Sequence, residues 1–242
     1  MDRSRLITLV ILALVLVGMT TFYFMNVWED SQTRFRTGLP VPRNIVPDSL
    51  LSDAERLAGL PPQVPAIRVT DPLLSGGTSS SVTLIVFGDF QSEVSRQQAS
   101  AINDALLTVG GKTSIRTVWR DLPNATEHSQ SVTAAIAGRC AAQQGKFAGM
   151  HDLLFTEAAT YDELELTRFA RKIGVTEDVF RTCLRDPANR FALNRDIEDA
   201  AAHAVTQVPT LFVEDQPIEG YIDAQTLTPL LRAALQQANI NP

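Results

Sequence analysis

The sequence predicts an α/β domain with a large helical insertion, preceded by one N-terminal membrane helix. Three observations predict this fold class. Residues 82–87 form a β-branched apolar run that leads through a tight turn into a helical pattern. Residues 128–204 are helical by period almost throughout, and residues 6–28 are nearly unbroken apolar sequence without charge. A chain of 242 residues has room for one membrane segment and one domain of common size.

The charge and cysteine content exclude several function classes. The net charge of -6 and the isoelectric point near 5.1 give no basic surface for nucleic acid. The two cysteines, Cys140 and Cys183, stand in neither a Cys-x-x-Cys motif nor a metal-like spacing with histidine. We therefore expect no nucleic acid, no metal and no cofactor.

The apolar stretch at residues 6–28 predicts a membrane anchor. As a helix it spans about 30 Å, the thickness of a bilayer core, and Tyr23 and Trp28 suit its far interface. A cleaved signal peptide is the alternative, but the run is too long and lacks a small-residue cleavage site after it. Arg3 and Arg5 favour an inside N-terminus only weakly, because further arginines follow the span. We expect residues 6–28 to lie in lipid as a single span.

A Pro-rich tether, residues 29–65, follows the predicted anchor at residues 1–28. Its segments 39–47 and 60–65 are extended and semi-rigid. Between them Asp48 can cap a short helix. That helix either packs on its own domain or docks a partner.

Four segments are predicted as strands: residues 66–70, 82–87, 113–119 and 210–213. One helix separates the second from the third, so a right-handed crossover makes them parallel neighbours. Residues 214–221 predict a hairpin into a further short strand, and Asp223 caps the last helix.

The turn after residues 82–87 carries the pattern of greatest interest. Ser92 and Ser95 open a helix whose apolar side is predicted to include Val94 and Ala101. A strand that feeds a helix leaves free backbone N–H groups at the turn, with the positive end of the helix dipole behind them. Such a place suits a thiolate, but it holds two hydroxyls here.

The segment VTLIVFGDFQSEVS, residues 82–95, resembles the active-site segment of thioredoxin-fold thiol-disulfide oxidoreductases of the DsbA type. The resemblance continues through residues 66–238, in WRDLPN followed by His128, in the helical signature at residues 134–155, and in VPTLFV at residues 208–213. It implies a thioredoxin-like domain over residues 66–242 with a helical insert at about 128–204. It also implies a periplasmic, extracytoplasmic domain on a cell inner membrane.

The departures from the family's pattern concern its chemistry. Ser92 and Ser95 stand where the family has its two redox cysteines, and Val86 stands where it usually has a buried glutamate. A hydroxyl cannot form a disulfide, so we expect no catalytic residue at this degenerate site and no enzyme. An engineered Cys-to-Ser replacement is the alternative. Val86 argues against it, because such a replacement gives no reason to remove the acid.

Other candidate residues have plainer interpretations. The resemblance implies a structural disulfide between Cys140 and Cys183, and two buried free thiols are the alternative. A redox role is not expected for this pair, because neither residue is at the turn. Ser92 as a nucleophile needs a base. His128, His151 and His203 are the only histidines, and no acid partner is evident, so Ser92 is interpreted as a helix N-cap.

In the family, the loop before the strand that corresponds to residues 210–213 contains a cis-proline, here Pro209. The backbone edge beside this proline is exposed and pairs with a substrate peptide. Val208 and Pro209 are therefore candidate peptide-binding residues, although the cis bond could serve the fold alone.

Three functions remain open. The first is a redox-inactive, membrane-anchored accessory subunit of a larger membrane protein complex, respiratory or photosynthetic. The second is a periplasmic chaperone or assembly factor that uses the cis-proline loop. The third is a DsbA-type oxidoreductase whose cysteines were replaced.

Overall fold

A five-stranded mixed sheet organises the part of the chain described in the computed structural model, residues 64–158 and 160–240. Its strands are β1 (Leu73–Ser75), β2 (Val82–Gly88), β3 (Ile115–Asp121), β4 (Thr210–Val213) and β5 (Gln216–Glu219), in the order β1-β3-β2-β4-β5. The helices are α1 (Glu93–Val109), α2 (Ser131–Ala142), α3 (Phe147–Thr156), α4 (Glu163–Lys172), α5 (Glu177–Arg185), α6 (Ala188–Ala202) and α7 (Ala224–Ile240). This is a mixed α/β thioredoxin-like arrangement.

The centre of the sheet confirms three of the predicted strands. β2 pairs in parallel with β3 over its whole length, from Val82 opposite Ile115 to Gly88 opposite Asp121. On its other side β2 pairs antiparallel with β4, and β4 forms the predicted hairpin with β5. The crossover through α1 is therefore the expected one between parallel neighbours.

The first strand is not where the sequence predicted it. Residues 66–70 form no strand, and β1 begins only at Leu73, antiparallel to β3. Arg68 and Asp71 explain the difference: the Asp71 N–H donates to the Arg68 carbonyl at 3.1 Å, and the Arg68 N–H donates to Asp71 Oδ2 at 2.6 Å. These bonds close a turn that an extended strand cannot contain.

Helices α2 to α6 form the insertion between β3 and β4. Gly145 and Gly174 lie between helices with positive φ, +68° and +74°, which is the left-handed conformation that favours glycine. The predicted N-cap Asp223 accepts from the Thr226 N–H at 2.8 Å. The N-cap role of Asp223 was predicted from the sequence.

Both faces of the sheet are buried. The larger core contains α1, α7 and the inserted helices, with Leu84, Val86 and Trp119 from the sheet. The smaller core on the other face is formed by Ile85, Phe87, Val118 and Phe212 with residues around the end of α6. Val94 was predicted on the core side of α1 but is 43% exposed, so that prediction is wrong, whereas Ala101 is buried as predicted.

Among residues 64–158 and 160–240, no helix is long and apolar enough to cross a membrane. The predicted anchor at residues 6–28 and the predicted helix after Asp48 lie outside the described residues. Both stay predictions, as does the boundary between tether and domain.

Candidate functional site

The turn between β2 and α1 holds both serine hydroxyls inward. Ser92 is the N-cap of α1, and its Oγ accepts from the Ser95 N–H at 3.2 Å. Ser95 Oγ accepts from the Asp89 N–H at 3.3 Å, and both serines are buried. The predicted N-cap role of Ser92 is therefore confirmed, and both hydroxyls satisfy backbone donors of the turn.

A carboxylate–imidazole pair lies beside this turn. Asp89 Oδ2 is 2.7 Å from His128 Nδ1 and also accepts from the Asn124 N–H at 2.9 Å. The expectation that no histidine has an acid partner is therefore wrong. No hydrogen bond joins Ser92 to His128 in the part of the chain that the structure describes, so the three groups do not form a nucleophile with its base. The position of Asp89 just after a buried strand was the signal in the sequence that could have found the pair.

Under the turn, the position of the family's usual glutamate is apolar. Val86 is buried in β2, level with Trp119 of β3 and Leu211 of β4. Trp119, Phe90, Phe155 and His151 form an aromatic cluster with ring centroids 4.9 to 5.8 Å apart. Burial lowers the pKa of His151, which keeps its imidazole neutral.

The loop before β4 contains a cis peptide bond between Val208 and Pro209. Thr210 Oγ1 donates to the Gln207 carbonyl at 2.8 Å, and the Gly220 N–H donates to the Pro209 carbonyl at 2.8 Å. Within residues 64–158 and 160–240, no hydrogen bond uses the backbone of Val208. Val208 is half-buried, and its backbone N–H and carbonyl have no hydrogen-bond partner among the described residues.

A disulfide joins Cys140 of α2 to Cys183 of α5, with an S–S distance of 2.04 Å. Both cysteines are buried, Cys140 at 0% exposure and Cys183 at 7%. Ser131, at the start of α2, bonds to the His128 carbonyl beside the turn. Cys140 lies nine residues further along α2, about 14 Å at the rise of an α-helix. The pair is therefore not at the α1 turn, in agreement with the sequence.

A buried cluster of charges lies at the end of β3. This cluster was not predicted from the sequence. Arg139 Nε donates to Asp121 Oδ2 at 2.8 Å, and the Asp121 N–H donates to Asp196 of α6 at 2.9 Å. Arg120 donates to Asp71 at 2.8 Å and to Asp199 at 2.7 Å. These bonds join four separate segments of the chain, at positions 71, 120–121, 139 and 196–199. Among the described residues, no group of three or more His, Cys, Asp or Glu side chains could hold a metal ion.

The fold and its turn can be compared with known proteins. The profile of the thioredoxin family matches residues 69–233, which is more than half of the chain. The chain belongs to the thioredoxin family. As a thioredoxin-family protein it also has structural neighbours of the DsbA type, as the sequence resemblance implied.

Three solved structures illustrate the likeness. A thioredoxin-like oxidoreductase from Silicibacter pomeroyi is 22% identical, with a TM-score of 0.60 over 72% of this chain and 95% of its own. Wolbachia pipientis alpha-DsbA1 is 16% identical, with a TM-score of 0.61 over 72% of this chain and 95% of its own. Oxidised BdbD from Bacillus subtilis is 16% identical, with a TM-score of 0.60 over 69% of this chain and 94% of its own. At these identities the likeness shows the fold alone.

Curated relatives are longer proteins. The Na(+)/H(+) antiporter NhaA 3 of Salinispora tropica is 30% identical over 167 residues, which are 69% of this chain and 25% of the antiporter. The Na(+)/H(+) antiporter NhaA 1 of Salinispora arenicola is 29% identical over the same share of each chain. The chain thus spans about a quarter of the length of the curated relatives it matches.

The expectation of a protein without enzymatic activity is contradicted. It rested on Ser92 and Ser95, which cannot form a disulfide. The chain also carries the disulfide-bonded pair Cys140 and Cys183, which is capable of redox chemistry. Structures of the same fold include one named as an oxidoreductase and one named as a thiol-disulfide exchange protein. The cysteine pair points to redox activity, although that pair lies in the helical insertion rather than at the α1 turn. The idea that Ser-x-x-Ser is a degenerate site stays a prediction.

Proposed function

We propose that this chain is a thiol–disulfide redox protein whose couple is Cys140–Cys183 and whose substrates are cysteine-containing peptides. The observation that carries the proposal is the disulfide itself, which joins Cys183 of the nine-residue helix α5 to the more deeply buried Cys140 of α2. The serines at the α1 turn cannot exchange disulfides, so the redox couple is the pair that the chain retains.

We take Cys183, the less deeply buried of the two cysteines, as the one attacked first. A substrate thiolate attacks Cys183 Sγ, the bond between the two cysteines breaks, and Cys140 leaves as a thiolate that takes up a proton. A second substrate thiol loses its proton and attacks the substrate sulfur of the mixed disulfide. The substrate leaves as a disulfide, and both cysteines are reduced. The reverse sequence, with a substrate disulfide as oxidant, restores the couple.

The membrane-bound, extracytoplasmic location belongs to the same proposal. Residues 6–28 supply the apolar length of a membrane span, and an oxidising compartment suits a disulfide couple. The antiporter names of the curated relatives support a place at a membrane. The accessory-subunit role in a respiratory or photosynthetic complex has no support in the comparisons, and we do not propose it.

A peptide-binding role of the cis-proline loop is a second candidate. The open backbone of Val208 favours it, because an extended peptide adds to such an edge through main-chain hydrogen bonds. Tyr221, 50% exposed, directly follows Gly220, whose N–H donates to the Pro209 carbonyl. A peptide bound equally by the oxidised and reduced protein would belong to this surface rather than to the cysteine pair.

A glutathione titration of the full-length chain in detergent tests the redox proposal. The native protein is equilibrated at set ratios of reduced to oxidised glutathione, and its free thiols are alkylated and counted by mass. We expect a midpoint between about −270 and −120 mV, the range of thiol–disulfide enzymes. A midpoint below about −300 mV, typical of structural disulfides, would contradict the proposal. Ser92→Ala is the matched control and should leave the midpoint unchanged.

A further inference from the structure

Asn189, the second residue of α6, lies against both sulfurs of the disulfide. Its Nδ2 is 3.3 Å from Cys183 Sγ and 3.9 Å from Cys140 Sγ, and it donates to the Cys183 carbonyl at 2.7 Å. The side chain is buried. An amide nitrogen carries two protons, so one can bind the carbonyl while the other points at Cys183 Sγ.

The orientation of this amide is fixed from its other end. Gln143 Nε2 donates to Asn189 Oδ1 at 3.2 Å, which identifies Oδ1 as the acceptor and Nδ2 as the group that faces the sulfurs. Gln143 is exposed and directly follows α2, so its side chain contacts the Asn189 amide from the solvent side. The donor is therefore aimed at the sulfur that the proposed exchange uses first.

A donor in this position acts differently on the two redox states. A neutral disulfide sulfur is a weak acceptor, whereas a thiolate is charged and takes a much stronger hydrogen bond. Burial alone disfavours the thiolate. A donor that is already in place opposes this effect in the reduced protein and has little effect on the oxidised protein.

We propose that Asn189 is a positioning residue that stabilises the Cys183 thiolate and thereby makes the Cys140–Cys183 couple more oxidising. This inference rests on the proposed redox function and deepens it. The reacting atoms remain the two sulfurs, and Asn189 acts on them through one hydrogen bond. Gln143 contributes by holding the amide in the donating orientation.

The glutathione midpoints of three variants test this role. Asn189→Leu removes the donor at similar volume, and we expect reduction to become about tenfold less favourable, which is a shift of about −30 mV for a two-electron couple. Gln143→Ala keeps the Asn189 donor but removes the hydrogen bond that orients it. We therefore expect a smaller shift of the midpoint in the same direction. This exposed substitution does not threaten the core. Asn194→Leu changes an exposed asparagine of the same helix and should not move the midpoint.

The thiolate ultraviolet absorbance of the reduced protein at neutral pH supplies a readout that packing alone would not move. We expect it to fall in Asn189→Leu and to stay unchanged in Asn194→Leu. Equal midpoints and equal absorbance in Asn189→Leu and the wild type would overturn the role of Asn189. The midpoint of the wild type tests the redox function, and the differences between the variants and the wild type test the role of Asn189. The two proposals can therefore be contradicted independently.

Discussion

Asp121, the last residue of β3, shows how a single carboxylate can make stability depend on pH. It accepts from Trp119 Nε1 at 2.7 Å and from Arg139 Nε at 2.8 Å, and it is buried. Burial raises the pKa of Asp121 to about 6, because desolvation of the carboxylate outweighs the opposing attraction of Arg139. Burial also raises the pKa of Asp196 in the same cluster.

The sign of the effect follows from proton binding. Between the pKa of the unfolded chain, about 4, and the folded value of about 6, the folded state binds more protons. Asp121 therefore makes the protein less stable as pH rises through this window, and its contribution is constant above it. We expect the free energy of unfolding of the wild type, minus that of Asp121→Asn, to fall by up to about 3 kcal/mol between pH 4 and pH 7.

Urea unfolding of both proteins across this pH range measures that difference. The exposed Asp104→Asn serves as control, and its difference from the wild type should not follow the same curve. A difference for Asp121→Asn that is constant with pH, or that rises, would contradict the assignment.

Residue-scale contacts were the least predictable part of the site. Asp89 and His128 are 39 positions apart, and their pairing depends on the path of the chain after β3. The charged residues of the buried cluster are scattered over more than 100 positions, and each alone is typical of a solvated surface. Cysteine pairing was accessible only through the family resemblance, since spacing alone leaves free thiols open.

At the scale of elements, the β2–turn–α1 unit places two serine hydroxyls at a helix N-terminus. Ser92 and Ser95 lie at the N-terminus of a 17-residue helix and bond to backbone N–H groups. The same groups can stabilise a thiolate, and the helix dipole adds to their effect. The turn therefore has backbone donors that suit a thiolate, but its two hydroxyls cannot perform disulfide exchange.

Restoring the thiols should restore reactivity. In the variant Ser92→Cys with Ser95→Cys, we expect a second disulfide, and after reduction a thiol at position 92 with a pKa below the usual value of about 8.5. The rate of alkylation as a function of pH measures this pKa. Ser100→Cys, an exposed position of the same helix, is the matched control. If the two cysteines titrate alike, the turn has no retained thiol-site geometry.

Elements with strong local signals were predicted and weak ones were not. β2 and β4 are buried apolar runs that the pattern identifies, and β3 was identified by the alternation of Ile115, Thr117 and Trp119. β1 has three residues at a sheet edge, and its position depends on the turn that Arg68 and Asp71 close. Such a strand has no pattern of its own, and the prediction chose the more β-branched residues before it.

At the scale of the described domain, two regions carry separate tasks in this account. The α1 turn and the cis-proline loop adjoin the paired ends of β2 and β4, and the proposed redox couple lies in the helical insertion. Helix α2 links them, because it begins beside the turn and carries Cys140 about 14 Å further along. The buried charges fix α2 and α6 to the end of β3, so the insertion is held rigidly against the sheet.

The most direct test of the central claim is whether Cys183, and not Cys140, exchanges with a peptide thiol. The single variants Cys140→Ser and Cys183→Ser are each incubated with a peptide carrying an activated disulfide, and the adducts are measured by mass under native conditions. We predict faster formation of the mixed disulfide in Cys140→Ser, where the less deeply buried Cys183 remains, than in Cys183→Ser. Failure of Cys140→Ser to react while still folded, or equal rates in both variants, would contradict the account.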